Sequence, residues 1–594
     1  MQQIEYPILF ISLMIPFLGS LFFPFLKAKL NNRHFSILSF FLLLIPGITA
    51  FILYLGFNLE EGIVEPSIFS HHMLGRFSMY LERVNALYLL GVVIVTPSVA
   101  LYSHHYMQNR KKHMEEKGDQ VPTLDKFYLL YTLFSVSMMG FLLTTNLFMQ
   151  YIFLKITLLS SFALILLYGH GNRKRTATIY LVWSLVGGVV FLLGILGLGA
   201  EVGTFDIVDM SARELNVGLG EGLSLMIPFL IFFGMCIKKA LFGVHIWLPH
   251  AHAEAPAPVS ALLSPNLIGI SGYVMISIVL EMFPDQFETL APFFMILAFI
   301  TMIYGGLTAL AQDDLKRLLA YASVSQMGWV VFGIATMTPE GISGGILLFI
   351  KHSISLSILF MVAGILVSKY EGLRDISNMG GLLTMNPVLS GLTIVGFFTL
   401  VGAPLTMGFW GKTLIFSGAI KIPGITGPIS FILVASAVIF AGGITASYCF
   451  ITMKRMLFGG FKGKMGKRSI GWTTSTIPMA VIGFIGIFLF FIPGHLIGPA
   501  EIPRLSVLTI EGMMFLTAYL GAYFIFTGGI RYYLVLFSHR IEERVIDEFF
   551  HEKIPNFLEK SAKKLKHGHS GETVLYILTF ILGLIIILLG LMSI

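Results

Sequence analysis

The chain has 594 residues, 56% of them hydrophobic and 12% charged, with a formal net charge of +7. Soluble domains run at about 45–50% apolar and about 25% charged, and here the apolar residues fall in stretches of roughly 20, enough to cross ~30 Å of hydrocarbon. A soluble multidomain enzyme, a secreted disulfide scaffold and a nucleic-acid binder are therefore excluded, and the composition describes an all-α polytopic protein of the lipid bilayer.

About sixteen transmembrane helices are expected, at 7–26, 35–57, 85–106, 127–145, 146–168, 177–199, 223–246, 259–283, 288–311, 318–336, 340–368, 387–420, 428–452, 474–497, 509–538 and 572–592. The first has no basic flank before it and reads as a retained helix rather than a cleaved signal. The seventh runs into Pro249, Pro256 and Pro258, and the twelfth, too long for one simple crossing, contains Gly402-Ala403-Pro404. Broken helices are expected at Pro256, Pro258 and Pro404, which a membrane tolerates only where the freed backbone is buried in protein or lines a wet cavity. Cys236 and Cys449 lie inside apolar stretches and read as small packing residues, without metal spacing.

The loops alternate in charge. Those after odd-numbered spans are basic: Lys27, Lys29 and Arg33, then Arg110, Lys111, Lys112 and Lys117, then Arg173, Lys174 and Arg175, with Lys316 and Arg317 and a run from Lys454 to Arg468 further on. Those after even-numbered spans are acidic or neutral, with Glu60, Glu61 and Glu65 and then Glu201, Asp206, Asp209, Glu214 and Glu221. The positive-inside rule puts the odd loops in the cytoplasm and both termini outside, in a multi-pass protein of the cell (inner or plasma) membrane. Residues 539–571 are too polar to cross; Val545, Ile546, Phe549, Phe550, Phe557 and Leu558 recur at helical spacing among charges, which fits a short amphipathic helix on the cytoplasmic surface, with a solvated linker as the alternative.

Ionisable residues inside a bilayer are costly and mark functional pathways. No Asp or Glu falls near the middle of a span; the deep ionisable residues are basic, Lys155, Lys238, Lys239, Lys351, His352 and Lys412, with His245, His250 and His252 at the end of the seventh span. A desolvated ammonium sits closer to its neutral form, so a row of such groups with short wet gaps can pass protons. Lys238 and Lys412 each lie about eight residues from a helix interruption, where freed carbonyls and water can serve them. Lys351 admits snorkelling as an alternative. Lys239 need not face the same way as Lys238, because neighbours on a helix point ~100° apart.

The segment IKKALFGVHIWLPHAHAEAPAPVSALLS (237–264) closely resembles the seventh and eighth helices of the antiporter-like subunits of respiratory complex I, of Mrp antiporters and of group 4 membrane-bound hydrogenases. Its form His245-x-Trp247-Leu248-Pro249-x-Ala251-His252-x-x-Ala255-Pro256 looks more like the M subunit and hydrogenase type than the L type. DDLKRLLAYASVSQMG (313–328) is similar to the tenth helix of that family and VGAPLTMGFWGKTLIF (401–416) to its broken twelfth, and the resemblance covers roughly 80–460. It implies two inverted five-helix repeats forming half-channels, 127–283 and 288–452; outside them the apolar pattern gives helices at 1–126, additional helices at 453–538, the surface helix at 539–571 and a last crossing at 572–594. It also implies a hydrated lysine and histidine axis through Lys155, Lys238, His245, His252, His352 and Lys412, with Lys239, Lys351, Glu254 and Lys316 secondary. No catalytic centre, metal site or cofactor is expected, since no cysteine cluster, haem motif or nucleotide-binding glycine loop occurs.

Three positions depart from the family pattern. The fifth-helix glutamate that pairs with the seventh-helix lysine falls at Lys155, the eighth-helix lysine at Gly269, and an eleventh-helix lysine four residues past His352 at Leu356. Two like charges ~6 Å apart at an effective dielectric of ~20 differ from an opposite pair by roughly 5 kcal/mol, so at least one of Lys155 and Lys238 is expected to be neutral much of the time unless an anion or a carboxylate from another subunit sits nearby. Two expectations follow. One is a proton-translocating subunit of a redox-driven complex, of the NADH:quinone oxidoreductase or hydrogenase type, working with other membrane subunits. The other is a degenerate scaffold or the membrane partner of a bicarbonate uptake system. Sodium is disfavoured by the lack of deep carboxylates, since it needs hard oxygen ligands.

Overall fold

The structure is a computed structural model that describes residues 2–57, 61–71, 74–119, 122–212, 221–370, 373–422, 428–460 and 471–497. The expected spans at 509–538 and 572–592, the surface helix at 539–571 and the basic run 462–468 lie outside the described residues. The principal helices are α1 (Ile8–Leu21), α2 (Asn32–Gly56), α3 (Arg83–Glu116), α4 (Leu124–Leu143), α5 (Leu147–Tyr168), α6 (Arg173–Val202), α7 (Glu221–Lys238) and α8 (Trp247–Glu254). They are followed by α9 (Ala257–Leu280), α10 (Pro284–Ala311), α11 (Leu315–Ala335), α12 (Pro339–Lys369), α13 (Pro387–Val401), α14 (Met407–Ala419), α15 (Pro428–Leu457) and α16 (Ile477–Phe490). Among the described residues, ten helices are long and apolar enough to cross a membrane by length and composition, and α1, α13, α16 and the Ser224–Lys238 part of α7 are shorter apolar helices. The chain is a multi-pass membrane protein.

Local chemistry starts these helices where the sequence supplies a cap. Asn146 before α5 accepts from the amides of Phe148 and Met149 at 3.0 and 3.1 Å, and Asp314 before α11 accepts from Arg317 at 3.0 Å. Thr338 before α12 accepts from Gly341 at 3.1 Å with Pro339 in the first turn, where a missing N–H costs nothing. The third span extends past its predicted end at 106 to Glu116, because the basic residues expected in a loop continue the helix, with Lys111 reaching Glu115 at 3.5 Å. Small residues let the central helices touch backbone to backbone. A Cβ on Gly328 of α11 would lie 2.7 Å from the Met302 amide nitrogen of α10, and one on Gly344 of α12 would lie 2.8 Å from the Gly411 carbonyl of α14, the close approach expected where lipid supplies no hydrophobic drive. Helix α12 is buried along its apolar length and packs against α3, α11, α13 and α14.

The all-helical expectation misses five short strands. β1 (Gln2–Gln3) pairs in parallel with β2 (Ile63–Val64), which pairs antiparallel with β5 (Tyr80–Leu81); β3 (Phe69–His71) and β4 (Gly75–Phe77) form a hairpin. Strands of two or three residues leave too little alternation to read. Their pairing brings the N-terminal residues beside the loop between α2 and α3. Glu65 follows β2, buried, and accepts from the first free amides of α1, Leu9 and Phe10.

Candidate functional site

Helix interruptions lie at the end of α7, between α8 and α9, and between α13 and α14. Helix α7 runs through Pro228 and ends at Lys238, eleven residues before Pro249. Ala240 takes φ 57°, its amide reaches the Ile237 carbonyl at 3.1 Å and the Leu241 amide reaches Cys236 at 3.2 Å, so a left-handed residue closes the helix and redirects the chain. Pro256 caps α9 and Pro258 sits in its first turn. Within α9, Leu263–Leu267 around Pro265 and Met275–Leu280 are wound as π-helix, a feature frequent at functional sites. The twelfth span divides at Gly402 (φ 83°), Pro404 and Leu405 (φ 66°) into α13 and α14.

The breaks place Lys238, Lys239 and Lys412, while Lys351 and His352 come from the unbroken helix α12. Lys238, Lys239, Lys351, His352 and Lys412 are all buried. The two adjacent lysines part company. Lys238 lies within electrostatic reach of Lys155 on α5. Lys239 turns to α9, donating to the carbonyls of Gly269 at 3.1 Å and Ile268 at 3.4 Å, with Met327 Sδ of α11 at 3.8 Å. His352 is within electrostatic reach of Lys239, Lys351 and His252. Lys351 donates to Gln326 Oε1, whose amide nitrogen reaches the Tyr448 hydroxyl at 3.1 Å, and it lies near Lys412. Lys412 sits 5.2 Å over the Trp329 ring beside the α13–α14 break. Both nitrogens of His252 and both polar atoms of Asn266 are buried without a hydrogen-bond partner, in keeping with a wet interior, since buried polar groups are otherwise satisfied by protein or ordered water, and the buried His352 meets the Ser264 backbone.

Other expected residues fall differently. Lys155 is half-buried, its ammonium 4.6 Å over the Tyr151 ring and against Gly188 of α6. His245 packs among Tyr304, Phe242 and Tyr321, with ring centroids 4.9, 6.1 and 6.4 Å away. Lys316 donates to the Ala255 carbonyl at 2.7 Å, filling the acceptor left free at the α8–α9 break, and lies within electrostatic reach of Glu254 and His252. Gln326, Tyr448 and Trp329 were not anticipated because a search for ionisable groups passes over neutral ones. Cys236 lies near Lys239, and Cys449 near Lys351 and Lys412.

Comparison with known proteins gives a concordant picture. The family model described as "NADH:quinone oxidoreductase/Mrp antiporter, TM" matches residues 144–440, half of the chain. The chain is 32% identical to the NAD(P)H-quinone oxidoreductase chain 4-2 of Synechocystis, over 58% of this chain and 60% of that one. It is 31% identical to NADH-quinone oxidoreductase subunit M of Rickettsia prowazekii, over 51% and 61% respectively. The match thus spans about three-fifths of the length of these relatives. The F(420)H(2) dehydrogenase subunit M of Methanosarcina mazei is 30% identical over 69% of this chain and 80% of its own. In fold the chain is similar to a chain of respiratory complex I from Thermus thermophilus with bound NADH, with a TM-score of 0.67 at 21% identity, covering 86% of this chain and 99% of that one. The protein belongs to the transmembrane family of NADH:quinone oxidoreductase and Mrp antiporter subunits.

Proposed function

We propose that this chain is a proton-translocating, antiporter-like membrane subunit of a redox-driven multisubunit complex, with other membrane subunits as its partners. The observation that carries the reading is the set of buried ammonium and imidazole groups, with Lys238, Lys239 and Lys412 beside helix interruptions and Lys351 and His352 on the unbroken α12. Intramembrane charge of this kind marks ion pathways. The relatives' names, dehydrogenase and quinone oxidoreductase subunits, support a redox partner as the source of drive. The pathway runs from Lys155 and Lys238 through Lys239 and His352 to Lys351 and Lys412, with His252, Lys316 and Glu254 as a branch toward the basic loops and His245 beside the α7 break.

In this reading the full chain makes about sixteen crossings with both termini outside. Residues 127–283 and 288–452 act as inverted half-channels, and 1–126, 453–538, 539–571 and 572–594 form the flanking helices, the surface helix and the last crossing. Electrostatic or conformational signals from the redox partner alternate the protonation of the two halves. The chain itself contributes acid–base groups and no redox chemistry.

The test is Lys238→Ala and Lys412→Ala in the whole complex reconstituted in vesicles. Each variant is expected to abolish formation of a pH gradient while redox turnover persists in the presence of an uncoupler. Unchanged pumping in both, with assembly intact, would overturn the pathway. The second reading, a scaffold in a complex that pumps elsewhere or in bicarbonate uptake, draws on the half-buried Lys155 standing where the resemblance expects a carboxylate, and it predicts that only assembly suffers.

A further inference from the structure

One line of buried polar groups is left unused by the lysine and histidine row. It runs along α3 and the π-wound end of α9, from Lys239 to the face that carries the N-terminus and the strands. Tyr273, Ser277 and Glu281 recur every four residues, on one side of the helix. The Tyr88 ring of α3 lies edge-on to Tyr273 with centroids 6.2 Å apart and stacks on Phe349 of α12 at 4.6 Å. The hydroxyls of Tyr88, Tyr273 and Ser277 are all buried, and Ser277 stands within hydrogen-bonding reach of Tyr273.

The inner end of the line meets Lys239. A Cβ on Gly272 would fall 2.4 Å from the Tyr88 hydroxyl and 3.2 Å from the Lys239 nitrogen. The phenol oxygen and the ammonium nitrogen therefore both pack against Gly272, in the place a side chain there would fill. The outer end is acidic. Ser277 stands within hydrogen-bonding reach of both Tyr273 and the buried carboxylate of Glu82, the residue before α3. Glu281, exposed at the end of α9, lies within electrostatic reach of Glu82. Buried polar groups cost free energy unless they meet one another or water; here they fall in sequence, Ser277 linking Tyr273 to Glu82, between a mid-membrane amine and a pair of carboxylates at a surface.

We propose that Glu281 and Glu82, Ser277, Tyr273 and Tyr88 form an outer half-channel through which Lys239 exchanges protons with the face opposite the basic loops. The proposal rests on the proton-translocating reading above. A carboxylate at the mouth takes a proton from hydronium. Each hydroxyl, or a water beside it, accepts one proton on a lone pair and gives up another, and the Lys239 amine ends as ammonium; release reverses every step, with nothing oxidised or reduced. His352, His252, Lys316 and Glu254 lead from the same lysine toward the basic loops, so Lys239 stands where two opposed access routes meet.

The experiment uses the whole complex in vesicles, with Cys236 and Cys449, both buried, replaced by alanine. Ser277→Cys, Glu281→Cys and, as a control, the buried apolar Val279→Cys are treated with membrane-impermeant trimethylammonium-ethyl methanethiosulfonate from each side. Ser277→Cys and Glu281→Cys are expected to react from the face opposite the basic loops at least about tenfold faster than Val279→Cys. In the otherwise native complex, Tyr88→Phe, which keeps the ring stacking and removes the hydroxyl, is expected to cut proton translocation at least about tenfold. Labelling of Ser277→Cys no faster than the control, labelling only from the basic-loop side, or full translocation by Tyr88→Phe overturns the half-channel. Labelling reads access and not pumping, so a failure of the translocation reading at Lys238 and Lys412 remains distinguishable from a failure here.

Discussion

The ammonium of Lys239 donates to the backbone carbonyl of Gly269 at 3.1 Å. The resemblance to antiporter-like subunits expects a lysine side chain at position 269, and this chain has none there. A charge comes instead from the end of α7, delivered to that residue's own backbone. The middle of the proposed row, which looks thinned in the sequence, thus keeps a basic side chain.

Lys239→Met is therefore expected to impair proton translocation about as severely as Lys238→Met, by ~10²-fold or more if each acts as a positioned acid–base group. Gly269→Lys should not rescue it, because a Cβ at 269 would lie 2.2 Å from the Phe349 ring. Pumping per electron in vesicles checks both. A Lys239→Met complex that pumps normally removes Lys239 from the pathway.

Gln326 holds Lys351 on one side and the Tyr448 hydroxyl on the other. Gln326→Leu strips an acceptor from a buried amine and is expected to cost about 1.5–3 kcal/mol, measured as thermal stability in detergent. Gln326→Glu puts a carboxylate against the amine instead, which favours its charged form. Translocation should slow about tenfold for each ~1.4 kcal/mol by which the ammonium is held, with stability less affected than in the leucine variant.

Lys155→Glu separates the two functional readings. If the Lys155–Lys238 pair works by repulsion, reversing one sign shifts their interaction by roughly 5 kcal/mol at ~6 Å and an effective dielectric of ~20, and steady-state pumping should fall at least tenfold. A decayed site would leave the rate as it was. Parallel measurement of assembly by native electrophoresis keeps a folding defect from passing as a pathway effect.

Glu65 gives the fold a pH dependence outside the spans. Burial raises its carboxyl from 4.5 to about 7, against the lowering effect of the Leu9 and Phe10 amides. The folded protein then holds more protons at this site than the unfolded chain between pH 4.5 and about 7, so stability falls as pH rises through that window. Glu65→Gln should flatten the slope, an effect on the order of 2 kcal/mol across the window. Amide exchange at Leu9 and Phe10 at pH 5 and pH 8 reads it locally; equal slopes in both proteins would falsify the assignment.

Much of the architecture was legible because hydropathy is a property of a segment. Twenty apolar residues declare a crossing whatever surrounds them, and the broken helices were announced by Pro256, Pro258 and Pro404, which cannot donate to a helix ladder. The end of α7 was less visible, since Ala240 in the left-handed region carries no compositional mark. The π-wound turns of α9 and the two- and three-residue strands were also hidden, because their backbones answer to neighbours distant in sequence. Gln326 and Tyr448 stayed hidden for a different reason: a neutral polar residue in an apolar run looks like any other until its partner is known.

Composition by itself determined the membrane class, and the alternation of loop charge set the expected sidedness. It also divided the net +7 into loop cations and a few lysines deep in the apolar spans. What only the tertiary structure decided is which way those lysines face. Lys238 and Lys239 are adjacent and chemically identical, yet one meets Lys155 and the other the carbonyl of Gly269. The physical reason is rotational: neighbouring side chains leave a helix ~100° apart, and where α7 stops fixes the direction each one takes.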